Sequence, residues 1–230
     1  MQVVILAGGY GSRISEYTKL IPKPMIKINK KPIISHIIDI YQKYGVSEFL
    51  IATGYKGKII ENYFKKSKIN ITCVDTGKDV MTGGRLKRLE KYINGTFMLT
   101  YGDGLSNVNI SKLIRFHNKN NNICTVTAVR PPARFGEILF GMNNLVKKFK
   151  EKPQTNKSWI NGGYFVMEKK IFKYLKNDKT VLENEPLENL AKEKKLSAYK
   201  HYDFWHCVDT VRDKEAIEKI IKKKKLYPWL

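Results

Sequence analysis

The chain has 230 residues, with 43 Lys or Arg against 21 Asp or Glu, a formal net charge of +22, and 42% hydrophobic residues. That apolar share can bury a proper core in one large or two small domains, and a single α/β domain is expected. Cys73, Cys124 and Cys207 sit in separate apolar segments without paired spacing, which argues against a zinc site or disulfide framework and for buried reduced thiols.

The positive excess fits nucleic acid, an anionic membrane or a polyanionic small molecule. Its lysines are scattered, so it reads as a solvated basic surface rather than a nucleic-acid patch. The chain enters a glycine loop after only a few apolar residues, and no run approaches the length of a membrane span. The expectation is a cytoplasmic protein with no signal peptide and no membrane partner.

Residues 3–7, Val-Val-Ile-Leu-Ala, predict a fully buried strand, and Gly8-Gly9-Tyr10-Gly11-Ser12-Arg13 follows it. Glycines let backbone N–H groups approach an anion with no Cβ in the way, and Arg13 and Lys23 add positive charge. No Gly-Lys-Ser/Thr closes a P-loop, and the dinucleotide fingerprint needs a third glycine where this chain has Ile14. A phosphate-binding loop and an ordinary α/β turn both fit this stretch taken alone.

Residues 25–29 read as a short strand or extended turn. Pro32 opens a helix to about residue 44, with isoleucines and Tyr41 at three-and-four spacing, His36 beside that face as core packing, and Gly45 as the stop. Strands follow at 49–53, 69–74 and 97–100, separated by helices at 58–65 and 82–93. This alternation predicts a Rossmann-like, doubly wound, mainly parallel sheet with helices on both faces.

Ligands bind such sheets at the carboxyl ends of the strands, so three places stand out. They are the first glycine loop, Asp75-Thr76-Gly77 with Met81-Thr82-Gly83-Gly84-Arg85-Leu86-Lys87-Arg88, and Tyr101-Gly102-Asp103-Gly104. Glycines and basic residues opening a helix suit a planar or anionic ligand, with the Arg85 fork on a nucleobase, or simply basic residues in water. Asp103 reads as a divalent-metal ligand or a turn former, and the first reading needs a partner carboxylate.

A helix at 109–119 and a strand at 124–129 precede Arg130 to Glu137, a candidate lid or acceptor contact. The pattern then turns to short strands around 159–166. Lys152, beside Glu151 and fixed by Pro153, could grip a second phosphate, or make an exposed ion pair; Asn161 with two glycines could bind a polar ligand edge, or mark a strand bulge. Helices at 169–175 and after Glu185, a strand at 196–199 and a last helix complete the chain, whose Lys222 to Lys225 run complements the helix C-terminus. Asp209, at a strand-to-helix turn, is the partner carboxylate or an N-cap. No repeat, low-complexity stretch or linker is present.

Together, these motifs resemble the sugar-nucleotide pyrophosphorylase family of nucleotidyltransferases, nearly end to end. Besides those above, Pro22-Lys23-Pro24-Met25, Arg134-Phe135-Gly136, Glu151-Lys152-Pro153, Asn161-Gly162-Gly163, Glu185-Pro186-Leu187 and Asp209-Thr210 occur in the family's order. Met81 to Arg88 is similar to the cytidylyltransferase branch. The resemblance implies transfer of a cytidylyl group from CTP to a sugar 1-phosphate, glucose 1-phosphate foremost, in cell-surface glycan synthesis.

It further implies a catalytic set of Arg13, Lys23 and Asp103. Leu6, Ala7, Gly8, Gly9, Gly11, Ser12, Thr82, Gly83 and Arg85 join them in binding the nucleotide, and Asp103 and Asp209 hold Mg2+. Lys152 takes the acceptor phosphate, while Glu151, Asn161 and Gly162 meet the sugar. Residues 1–130 form the nucleotide half and 131–230 the sugar-phosphate half of one domain. A sugar-phosphate oxygen is already an anion at neutral pH, so it needs no general base, and His36, His117, His201 and His206 stay unassigned.

Two departures stand against the resemblance. Only Lys65 to Thr72 intervene where relatives carry a longer segment that helps build the oligomer, which leaves a homo-oligomer open. Glu137 stands where a small residue is expected, and is read as altering acceptor choice. Another base such as GTP or dTTP, or another acceptor, is the near alternative. A nucleic-acid-binding protein without turnover is the remote one, opposed by the joint presence of Arg13, Lys23, Asp103, Asp209 and Lys152.

Overall fold

Val3, Val4, Ile5 and Leu6 are all buried, and this first strand lies between two parallel neighbours at the middle of the molecule. The computed structural model describes residues 1–131, 136–151 and 158–230. Lys152 and the Arg134-Phe135 pair lie outside the described residues.

In chain order the first half contains β1 (Val3–Leu6), α1 (Ser15–Thr18), β2 (Lys27–Ile28), β3 (Lys31–Pro32), α2 (Ile33–Gln42), β4 (Glu48–Thr53), α3 (Gly57–Phe64), β5 (Asn70–Asp75), α4 (Thr82–Arg88), β6 (Phe97–Tyr101), β7 (Gly104–Ser106) and α5 (Ile110–Asn120). Then follow β8 (Cys124–Val129), β9 (Glu137–Phe140), β10 (Val146–Lys150), β11 (Ile160–Met167), α6 (Glu185–Lys192), β12 (Leu196–Lys200), β13 (Trp205–Cys207) and α7 (Val211–Lys224).

The main sheet runs β12-β8-β11-β6-β1-β4-β5. It is mainly parallel, as expected, but β11 is antiparallel to both β6 and β8. The described link from β8 to β11 carries the β9–β10 hairpin and no crossover helix, so the chain returns in the opposite direction.

Successive residues of a strand point to opposite faces, and β1 divides the core accordingly. Val3 and Ile5 pack with Ile37 of α2, Ile60 of α3, Leu113 of α5 and Ile217 of α7. Val4 and Leu6 pack with Leu86 of α4, Phe172 and Leu190 of α6. Each fully buried aliphatic side chain contributes roughly 1.5–3 kcal/mol, which explains the near-continuous apolar runs of the central strands. His36 is buried on the first face, where its Nε2 meets the Ile28 carbonyl at 3.0 Å.

Several local expectations change. The helix expected at 82–93 ends at Arg88, followed by a 3-10 turn at Glu90–Tyr92, and Lys169–Tyr174 is also a 3-10 helix. The short strands expected near 159–166 are one strand of eight residues, whose pairing with β8 shifts register between Asn161 and Phe165. All three cysteines are free, but only Cys124 is buried; Cys73 and Cys207 are half-buried.

Candidate active site

The carboxyl ends of β1, β6 and β13, the bulged start of β11 and the entry to α4 surround one cleft of about 1500 Å³. Leu6, Ala7, Gly8, Gly9, Gly11, Ser12, Arg13, Lys23, Thr82, Arg85, Asp103, Asn161, Gly162 and Asp209 line it, together with Tyr101 and Cys207. Gly83 and Glu151 do not line the cleft.

Two glycines of the first loop are there for different reasons. A Cβ on Gly8 would lie 2.1 Å from Arg85 Nη1, so the loop closes onto the arginine only because that position has no side chain. Gly11 has φ +64°, the left-handed conformation that turns the chain into Ser12–Ile14 and sends Arg13 outward.

Lys23 is the buried centre of an ionic cluster. Its Nζ donates to Asp103 Oδ2 and to Asp209 Oδ1, each at 2.6 Å, and Arg13 Nη1 donates to Asp209 Oδ2 at 2.8 Å. Burial alone lowers the Lys23 pKa, but the two carboxylates outweigh it and the net shift is upward. Burial likewise raises that of Asp209, yet Lys23 and Arg13 bring it below the ordinary value. Both groups stay charged at neutral pH.

Asp209 is not an N-cap. Thr210 caps α7, with Asp213 completing a capping box, which leaves the Asp209 side chain free to turn into the cleft. Asp103, Cys207 and Asp209 offer ligand atoms within 4.8 Å of one another. Two carboxylates converging on one ammonium form a place that attracts positive charge, and oxygen donors suit a hard divalent cation, so the residues fit a metal. Cys207 ends β13 two residues before Asp209 and stands beside it in the cluster, a place that reading Cys207 as a buried core thiol overlooked.

The Arg85 fork is committed within the protein. Its Nη1 donates to Gly77 O at 2.6 Å and Thr76 Oγ1 at 2.9 Å, and its Nη2 to Lys78 O at 2.9 Å, fixing the loop after β5 that forms one wall of the cleft. Gly83 and Gly84 serve close packing: a Cβ on either would lie under 3 Å from backbone of Thr180 or Asp178. Tyr10 on the glycine loop reaches Asp79 on the opposite wall at 2.6 Å.

At the other end, Asn161 holds the N–H of Gly163 at 2.8 Å through its Oδ1, and Trp205 Nε1 donates to Gly162 O at 2.7 Å. Gly163 has φ +76° and the pairing with β8 shifts register here, so the segment is a bulge, and it leaves Asn161 lining the cleft. Glu137 opens β9 opposite Lys150 of β10.

Residues 2–215 match the family described as Nucleotidyl transferase. The chain belongs to that family. It is a nucleotidyltransferase, and enzymes of this family generally use a divalent metal. It is 40% identical to the glucose-1-phosphate cytidylyltransferase of Salmonella typhimurium (strain LT2), over 100% of this chain and 98% of that one. The D-glycero-alpha-D-manno-heptose 1-phosphate guanylyltransferase of Campylobacter jejuni is 33% identical, over 86% and 89%. In fold, the nucleotidyltransferase is similar to HddC of Yersinia pseudotuberculosis solved with GMP-PN, with TM-score 0.76 and 24% identity over 96% and 99% of the two chains. The Salmonella alignment spans 255 positions against 230 residues here, while α3 and β5 of this enzyme are joined by residues 65–69 alone. Among the described residues, no helix is long and apolar enough to cross a membrane.

Proposed function

We propose that this nucleotidyltransferase joins CTP and α-D-glucose 1-phosphate to give CDP-glucose and diphosphate. The observation that carries the reading is the Arg13–Lys23–Asp103–Asp209 cluster, standing in one cleft of a chain related end to end to a glucose-1-phosphate cytidylyltransferase.

A phosphate oxygen of the sugar phosphate attacks the α-phosphorus of CTP while diphosphate leaves on the opposite side. The nucleophile is already an anion, so the protein has two tasks: holding two polyanions in line, and offsetting the charge they gather. Arg13 and Lys23 do the second by turning their donors from carboxylates to the triphosphate. Asp103 and Asp209 would hold Mg2+, which would supply neutralisation of the phosphate charge.

The backbone of Leu6 to Ser12 cradles the triphosphate. Thr82 with Gly83 and Arg85 shapes the cytosine side, Arg85 by fixing the loop wall. Asn161 and Gly162 serve the sugar, and Lys152 its phosphate. Residues 1–130 thus supply the nucleotide half and 131–230 the acceptor half, although Asp209 crosses to complete the first. The enzyme is cytoplasmic, and its product feeds cell-surface glycan synthesis.

Chromatographic detection of CDP-glucose, formed from CTP and glucose 1-phosphate in Mg2+ buffer and consumed again on addition of diphosphate, tests the reading. No nucleotide sugar in either direction rejects it.

A further inference from the structure

Glu183 does not line the cleft, yet both its carboxylate oxygens are committed to residues that do. Its Oε2 accepts from Thr82 Oγ1 at 2.6 Å, at the entry to α4. Its Oε1 accepts from the Tyr101 hydroxyl at the end of β6. The Tyr101 hydroxyl is the donor of that bond, so its hydrogen is spent on Glu183.

A hydroxyl whose hydrogen is spent can only accept from its other neighbour. Asn161 Nδ2 donates to that oxygen at 3.1 Å, while Asn161 Oδ1 accepts from Gly163 N at 2.8 Å. The two bonds fix which way round the Asn161 amide lies, and leave one N–H and one lone pair of Asn161 to face the cleft. Contact with the Tyr101 ring adds to this, since a Cβ on Gly163 would lie 2.6 Å from Tyr101 Cδ2. Thr82 is held just as firmly, its Oγ1 accepting from Leu182 N at 2.9 Å.

We propose that Glu183 is a positioning residue. Through Tyr101 it sets the orientation in which Asn161 meets the sugar, and through Thr82 it ties that orientation to the nucleotide side. The proposal rests on the nucleotidyl-transfer reading above and adds one carboxylate on which the two half-sites meet. A one-sided change at Tyr101 should therefore disturb the sugar alone, and a change at Glu183 both sides.

The test is calorimetric binding of CDP-glucose and of CDP to wild type, Tyr101→Phe, Glu183→Ala and Glu183→Gln. The tighter binding of CDP-glucose over CDP isolates the sugar contacts. In Tyr101→Phe this preference is expected to shrink about tenfold, the worth of an orienting hydrogen bond, with CDP affinity within about twofold of wild type. Glu183→Ala is expected to lose the preference and also to weaken CDP. Glu183→Gln, whose carbonyl can still accept from Tyr101, should recover most of the preference. An unchanged preference in Tyr101→Phe overturns the proposal, as does a parallel loss of both ligands in all three variants that tracks their melting temperatures. Tyr101→Phe removes a single atom, so it keeps the test decisive if Glu183→Ala does not fold. A wild type that binds CDP and CDP-glucose equally overturns the functional reading, and the proposal with it.

Discussion

Lys23 meets Asp209 at 2.6 Å and Asp103 at the same distance, so the ammonium of one buried lysine, a residue 8% exposed, holds two carboxylates from strand ends more than a hundred residues apart in sequence. This clamp does double duty: it stabilises the resting cleft and places a cation where the triphosphate is expected. Lys23→Met should leave two carboxylates facing each other without their buried partner. A loss of roughly 1–3 kcal/mol in stability is expected, with kcat/KM down by about 10³. Chemical denaturation and steady-state kinetics read the two effects separately.

Arg13 gives the opposite balance. Its side chain is 69% exposed, so its bond to Asp209 is screened and adds under about 1 kcal/mol to folding. Arg13→Ala is therefore expected to melt within a few degrees of wild type while kcat falls by on the order of a hundredfold. Equal losses of stability and activity would place Arg13 among the structural residues.

Arg85 is buried with its donors on Thr76, Gly77 and Lys78. Arg85→Lys keeps the charge but not the fork, so it should behave nearly as badly as Arg85→Met, each losing roughly 2–4 kcal/mol of stability and raising the KM for CTP. Rescue by lysine in thermal unfolding would contradict this.

These residues also show what a sequence can reveal. The apolar run of β1 and the isoleucine spacing of α2 announce their own burial, so the doubly wound core and the strand ends that carry Asp103 and Asp209 were legible. The orientation of β11 was not, because an antiparallel return depends on what lies between two strands rather than on either strand. Arg85 was readable as a donor fork but not as one aimed inward, since that depends on Gly8 and Gly54 making room for it. Glu183 had no signal at all: its partners Thr82 and Tyr101 are over eighty residues away.

His36 makes the fold acid-sensitive away from the cleft. Burial is the main cause lowering its pKa from the ordinary 6.5, with Lys31 adding to it and the Ile28 carbonyl and Asp39 opposing. The ring packs against Tyr227 and Trp229, and its Nδ1 has no hydrogen-bond partner among the described residues. Below pH 6.5 the unfolded chain takes up a proton that the folded chain refuses, so stability falls as pH drops from about 6.5 to the lowered folded value. Unfolding free energies measured across that window should decline in wild type, and decline less in His36→Leu.

Pyrophosphate release in Mg2+ buffer, across CTP, UTP, dTTP and GTP with a panel of sugar 1-phosphates and with Asp103→Asn as the blank, tests the central claim most directly. Release is expected with CTP and glucose 1-phosphate, and at the level of the other pairs only in the blank. Preferential release with another nucleotide, or none with any pair, would contradict it.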